Sequence, residues 1–317
     1  MSTRTPRKGS LQFWPRKRAR KFLPRVNWGA IDSEKNLKGL KGFICYKAGM
    51  ASAYVKDNTE HSMTKGKKIV LPVTILECPT MKIFSVRFYK DGIPAKEILS
   101  ENLDKEMRRK VIMAKGKHGK VDSVKREEYD DIKVICYSQV KKTNIKKTPD
   151  LSEIGLTGSL DEKLEFVKEN LGKEISISNV FKGGQLVDFR GLTTGRGLSG
   201  PVKRFGITLK SHKSEKGVRR PGSLGPWHPA RTTFRAPMAG QYGMFTRVSY
   251  NNTIVDMGKS EGKKGLSNIH NFGDLKTDYI LVKGSVQGPP KRQLVATFPL
   301  RETKKQGKKK FEFIELR

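Results

Sequence analysis

The sequence predicts a mainly β protein with an α/β insert and long basic extensions, and three observations lead there. Six short runs with strand-like alternation, each bounded by glycine or a tight turn, are spread through the chain. A block between residues 96 and 173 alternates strand and helix patterns. The first 31 residues hold nine Lys or Arg, no acid, and no apolar stripe that could fold them alone.

In chain order, residues 1–36 read as a basic N-terminal extension punctuated by Pro6, Pro15 and Pro24. Phe13, Trp14 and Phe22 stand among its cations, as expected where bases stack on side chains while basic groups grip phosphates. The candidate RNA contacts here are Arg4, Arg7, Lys8, Trp14, Arg16, Lys17, Arg18, Arg20, Lys21 and Arg25. Residues 37–95 and 174–300 then supply the short strands: LKGFICYKAGMASAYV (40–55), EISISNVF (174–181), GQLVDFRG (184–191), TRVSYNNTIVDMG (246–258), DYILVKGSV (278–286) and RQLVATFPL (292–300). Several such strands with tight turns predict a closed or partly closed β-barrel, discontinuous in sequence.

Within the insert, the pattern predicts strands in VTILECPTMKIFSVRFY (73–89), leading in, and IKVICYSQV (132–140), with a helical stretch near 96–113. SLDEKLEFVKENLG (159–172) is the clearest helix: Ser159 and Glu162 form a capping box, Leu160, Leu164, Val167 and Leu171 share a face, and Gly172 stops it. Residues 301–317 read as a basic turn followed by a last edge strand or tail.

Charge narrows the function. The chain of 317 residues carries 65 Lys or Arg against 31 Asp or Glu, a net charge of +34, with 35% hydrophobic residues. That imbalance calls for a polyanionic partner, because basic surfaces hold nucleic acid by neutralising phosphates and releasing counterions. The charge is uneven: residues 96–174 hold 18 basic and 16 acidic residues, so this block is expected to face away from the polyanion.

The motifs exclude more than they assign. Cys45, Cys78 and Cys136 lie far apart in apolar runs and read as buried thiols in a reducing compartment, not as a disulfide framework or metal site. His61, His118, His212, His228 and His270 lack metal-ligand or general-base spacing, and no catalytic residue, metal or cofactor is expected. The basic N-terminus has no apolar stretch behind it and nowhere do 18 apolar residues run together, which argues against secretion and membrane insertion. GRGLSG (195–200) spells a dinucleotide-binding pattern, but Pro201 follows where an amphipathic helix is required, so that reading is rejected. The seven glycines between 183 and 206 instead let backbone and the cations Arg190, Arg196, Lys203 and Arg204 approach phosphates closely.

From 203 to 243 the chain is basic, proline-broken and too poor in apolar residues to bury itself. A loop of that length without its own core is usually functional, and proline keeps it extended, so it reads as a finger with Trp227 at the tip. Lys210, Lys213, Lys216, Arg219, Arg220, Trp227, Arg231 and Arg235 are its candidate RNA contacts.

GQLVDFRGLTTGRGLSGPVKRFG, followed by RPGSLGPWHPAR and MAGQYG, resembles the signature of the universal large-subunit ribosomal protein L-three family. The arm, the insert and the WHPAR form are closer to its archaeal and eukaryotic branch. The resemblance covers essentially the whole chain. It implies a split β-barrel of the translation-protein type with a ferredoxin-like α/β insertion, cytoplasmic and in the ribosome. It also implies binding to large-subunit rRNA, a role early in assembly, and a finger sent toward the peptidyl-transferase region. Trp227 matches the family's fingertip, Arg231 and the glycines of MAGQYG its frame, and His228 and Gln241 of the same motifs complete the RNA-binding set. Neighbours implied are proteins of the L-fourteen and archaeal/eukaryotic L-twenty-four types, with no homo-oligomer. Eukaryotic members carry a histidine where Glu215 aligns here, so a role resting on it does not transfer.

Two other readings compete. An RNA-modifying enzyme with a basic substrate channel would show turnover on isolated rRNA. A duplex-DNA protein would bind DNA and structured RNA alike, which the aromatic-studded extensions argue against.

Overall fold

Period-two alternation buries one face of a strand, and here the buried faces close on one another. The structure, a computed structural model, describes residues 9–31, 39–112, 128–213, 216–260 and 265–317. The chain divides into two compact units: Leu23–Gly191 with Val248–Arg317, and the N-terminal arm as far as Phe22 with Leu192–Arg247.

The strands are β1 (Gly42–Asp57), β2 (Lys68–Cys78), β3 (Met81–Lys90), β4 (Ile93–Leu99), β5 (Asp131–Ser138), β6 (Leu151–Gly155) and β7 (Leu186–Leu192). Two short ones, β8 (Leu198–Ser199) and β9 (Gly240–Gln241), belong to the smaller unit. β10 (Thr246–Lys259), β11 (Asp278–Lys283), β12 (Gln293–Thr297) and β13 (Phe311–Leu316) complete the set.

β1, β2, β11, β10, β7 and β12 follow one another around a ring, and β12 returns to pair with β1. The closure depends on the length of β1, whose 16 residues serve two neighbours on one edge. Gly42–Tyr46 face β12, and Ala53–Asp57 face β13. A bulge between Lys47 and Gly49 bends the strand between those two stretches. Closing the sheet removes the exposed edges that would otherwise recruit other chains.

β3 to β6 form a second, antiparallel sheet in the order β4-β3-β5-β6, and α1 (Leu160–Asn170) packs beside it with Leu164 and Val167 buried. The cap of α1 is the one read from sequence: Glu162 N–H donates to Ser159 Oγ, and Ser159 N–H donates to Glu162 Oε2 at 3.0 Å. Gly172, at φ +80°, follows the helix. The molecule is thus mainly β with a small α/β insert.

Three expectations change. The helix expected over 96–113 is replaced by β4 and a single 3-10 turn, Lys105–Arg109; the described chain then stops at Ile112. Asp91 and Gly92 both have positive φ, which makes a two-residue hairpin turn, and pairing with β3 outweighs the helix propensity of Lys96 and Glu97. The second sheet therefore starts at Met81, ahead of residue 96. EISISNVF forms only a bridge from Ile175 to Met81 and a 3-10 turn, Ile177–Asn179, where the Ser176 and Ser178 hydroxyls bond to each other at 2.8 Å.

One hydrophobic core runs from the barrel residues Phe43, Phe189 and Leu294 to Val86, Val134 and Ile154 of the second sheet. Trp28 and Ile31, read from sequence as part of the basic N-terminal extension, are buried in it. The Trp28 indole donates to Glu153 O at 3.1 Å. Its ring fills the space over two glycines: a Cβ on Gly42 would lie 2.9 Å from it, and one on Gly155 would lie 2.7 Å from the Trp28 side chain. Cys45, Cys78 and Cys136 are free, buried thiols, and burial pushes the thiol pKa of Cys136 up.

Because Trp28 fills a seat with no alternative occupant, Trp28→Ala is expected to cost about 3–5 kcal/mol of unfolding free energy. Urea denaturation followed by circular dichroism measures it; a loss below about 1 kcal/mol would show that the site collapses around the cavity.

Candidate nucleic-acid interface

The smaller unit has 19 Lys or Arg and one acid, Glu215, so it cannot be held together by ion pairs. It uses backbone carbonyls instead. The base of the finger is a narrow ribbon: Leu198 faces Gln241 and Ser199 faces Gly240. Arg196 N–H donates to Tyr242 O at 2.9 Å, and Tyr242 N–H donates to Gly197 O at 2.8 Å. Gly243, at φ +77°, is required here, because a Cβ on it would sit 2.0 Å from Thr194 O.

After the ribbon comes α2 (Pro201–Phe205), a short helix between Gly200 and the left-handed Gly206. The sequence reading allowed no helix there; the five residues after a two-residue strand still do not make a dinucleotide-binding unit. From α2, Arg204 reaches across the ribbon. Its guanidinium donates to Gln241 O and Met238 O, both at 2.9 Å, and to Arg16 O at 3.2 Å. Arg16 answers by donating to Arg204 O. The two arginines therefore clasp each other's backbone and tie the arm to the finger base.

Aromatic rings complete the joint. Trp14 lies 4.9 Å from Phe205 and 6.4 Å from Phe234 between ring centroids, Arg16 sits 4.3 Å over Phe205, and Arg247 sits 4.2 Å over Phe13. Ala19 N–H donates to Met244 O at 3.0 Å. Desolvation by burial lowers the pKa of Arg16, Arg204 and Arg247, and the proximity of Arg16 lowers the other two further. Arginine stays charged through such shifts, so this is a preformed positive centre.

Beyond that base the finger has little internal structure: turn bonds such as Arg231 N–H to Pro229 O at 2.7 Å, and no strand among its described residues. Trp227 is 83% exposed and Phe234 62% exposed. Lys203, Lys213, Lys216, Arg219, Arg220, His228, Arg231 and Arg235 are also exposed, and Lys210 is half-buried.

The predicted residues thus fall into groups. Lys17, Arg18, Arg20 and Lys21 of the arm are exposed. Arg16 and Arg204 spend donors on the protein's own carbonyls, Trp14 is packed between rings, and Gln241 turns its amide onto Tyr242 O and Gly243 O. Arg196 lies 5.7 Å over Tyr242. Arg25 and Arg190 belong to the larger unit. Arg4, Arg7, Lys8 and Glu215 lie outside the described residues. Arg247 was missed from sequence, since it stands at the start of a strand-like run with nothing to mark its place over Phe13. Among the described residues there is no group of His, Cys, Asp or Glu able to hold a metal, and no helix long and apolar enough to cross a membrane.

The model of the family described as Ribosomal protein L3 matches residues 1–316. The chain belongs to that family. It is 37% identical over 306 residues to the large ribosomal subunit protein uL3 of Methanocaldococcus jannaschii, covering 92% of this chain and 90% of that one. It is 39% identical over 309 residues to the uL3 protein of Methanococcus vannielii, covering 93% and 91%. It is 38% identical over 332 residues to that of Methanococcus aeolicus, covering 100% and 96%. These relatives of the L3 family are named for a place in the ribosome, not for a reaction.

Arg204→Lys keeps the charge of the clasp but cannot reach three carbonyls at once. Losing such charge-assisted bonds, worth about 1.5–3 kcal/mol each, should raise hydrogen exchange at Arg196 and Tyr242 more than about tenfold. The barrel amides should exchange at unchanged rates; equal acceleration in both units would show that the clasp is not local.

Proposed function

We propose that this L3-family chain is a structural constituent of the large ribosomal subunit. It binds large-subunit rRNA through the arm and finger, supports early assembly, and extends the Trp227 finger toward the peptidyl-transferase region. One observation carries the reading: the smaller unit holds 19 Lys or Arg against one acid. Phosphate neutralisation by the exposed arm and finger residues supplies affinity, and stacking on exposed rings such as Trp227 and Phe234 adds about 1–3 kcal/mol per base engaged. The clasped base fixes the direction of the finger before RNA arrives. The insert, whose Arg87 and Lys163 are paired with Glu97 and Asp131, faces away from RNA and meets neighbouring proteins. L-fourteen and L-twenty-four types are the proposed neighbours.

Two variants separate the roles. Trp227→Ala is expected to leave rRNA affinity within about threefold while lowering translation by subunits that contain it, because one fingertip adds little to a site dominated by phosphates. Loss of most of the affinity would make Trp227 an anchor instead. Replacing Lys17, Arg18, Arg20 and Lys21 with Gln is expected to reduce the slope of log affinity against log salt by about 3, at about 0.7–0.9 per phosphate contact. An unchanged slope would show that the arm does not touch phosphate. Substitution is preferable to deleting residues 1–31, which would also remove the buried Trp28 and Ile31.

A further inference from the structure

The segment RETKKQGKKK, residues 301–310, holds Arg301, Lys304, Lys305, Lys308, Lys309 and Lys310 against one acid, Glu302. It lies in the larger unit, so it is no part of the arm and finger. The sequence reading made it a basic turn before an edge strand. The structure shows it pinned at both ends and in the middle. Leu300 N–H donates to the buried carboxylate of Asp188 at 2.9 Å, and the same carboxylate accepts from Asn251 N–H at 2.7 Å. Asn251 in turn donates its side-chain amide to Thr303 Oγ1 at 3.1 Å. α3 (Lys304–Gly307) forms one turn, after which β13 pairs with β1.

The hairpin between β1 and β2 meets the far end. Asn58 N–H donates to Lys310 O at 2.9 Å, and Lys310 N–H donates to Thr59 Oγ1 at 3.1 Å. That hairpin is itself fixed by Asp57, which accepts from Thr59 N–H, Ser62 Oγ and Thr64 Oγ1 at 2.9, 2.7 and 2.6 Å, and it adds the exposed Lys65 and Lys67. The nearby acids of β13 are engaged: Glu312 accepts from Asn58, and Glu315 pairs with Lys68. Glu60 of the hairpin is exposed. Lys304, Lys305 and Lys308 are exposed, and among the described residues neither they nor Lys309 joins an ion pair. Lys283 lies 4.5 Å from the Phe311 ring; burial, and then the charge of Lys309, lowers its pKa.

We propose that the turn 301–310, with Lys65 and Lys67 of the hairpin, is a second phosphate-binding surface, which takes the backbone of double-helical RNA independently of the finger. It rests on the rRNA-binding reading above. Two features select a duplex. The cations are held on a braced turn, so little order must be imposed when they meet a regular row of phosphates. The turn itself contains no aromatic residue, and Phe311 and Phe313 beside it are half-buried, so it has nothing on which splayed bases could stack. The finger, with its exposed rings, is suited to the opposite kind of RNA.

The test measures binding of the full-length protein to a loop-free RNA duplex over a range of potassium chloride concentrations. The variant K304Q/K305Q/K308Q/K309Q is expected to reduce the slope of log affinity against log salt by about 3, while replacing the same four lysines with Arg keeps it. A control, K90Q/K96Q/K105Q/K110Q, removes equal charge from exposed positions near the second sheet and is expected to change the slope by less than about 1. If both Gln variants act alike, net charge and not a site is responsible, and the proposal fails. It also fails if the first variant keeps the wild-type slope. Neither result touches the rRNA reading, which fails separately if the wild-type protein does not bind an rRNA fragment containing loops.

Discussion

A guanidinium that leaves water must be met by acceptors, and in the smaller unit almost no acceptor is a carboxylate. Glu215 is its only acid. Arg204 is therefore met by Gln241 O, Met238 O and Arg16 O, and the shape of the finger base follows from that requirement. Three carbonyls from two distant segments of the chain must converge on one planar fork. The ribbon of β8 and β9, the turn of α2 and the required Gly243 bring them there. Carbonyl acceptors satisfy the donors without cancelling the charge, so the joint stays positive, which a carboxylate would have prevented.

The larger unit solves the same problem differently. Its cations are interleaved with acids, as in Lys82–Asp104 at 3.0 Å and Arg87 bonded to both Glu97 and Glu153. Half-buried pairs of this kind, still reached by solvent, contribute little net stability, so the fold rests on its continuous core and on the closed ring of strands. What the pairs accomplish is local neutralisation of the second sheet's surface. The partition of acids between units thus leaves the smaller unit almost without carboxylates, whereas in the larger unit acids are spread among the cations.

Five of the six alternating runs that end at a glycine or tight turn are strands, EISISNVF being the exception, and the helix 160–170 was legible from its cap and its apolar face. The failures share a cause. Residues 96–99 carry helix formers, but the Asp91-Gly92 turn commits them to pair with β3, and a turn of two residues outweighs a propensity spread over many. Trp28 read as arm because charge dominates its surroundings; only the paired glycines 42 and 155, distant in sequence, reveal that its ring has a seat. At the site, composition identified the basic segments and Trp227. It could not tell Arg204, which faces inward to carbonyls, from Arg219, which is exposed, because the two differ only in what the fold brings near them.

Aromatic residues divide the basic surfaces further. Trp227 and Phe234 stand exposed on a segment with few internal bonds, whereas the cations of 301–310 stand on a turn braced by Asp188, Asn251 and β13. An unbraced segment can follow irregular RNA and offer a ring to an unstacked base, at the cost of ordering itself on binding. A braced turn cannot adapt, but it meets a regular phosphate lattice without that cost. Net charge alone would make these surfaces equivalent. Under the two proposals, rigidity and ring content make them complementary, one fitted to irregular RNA and the other to helical RNA.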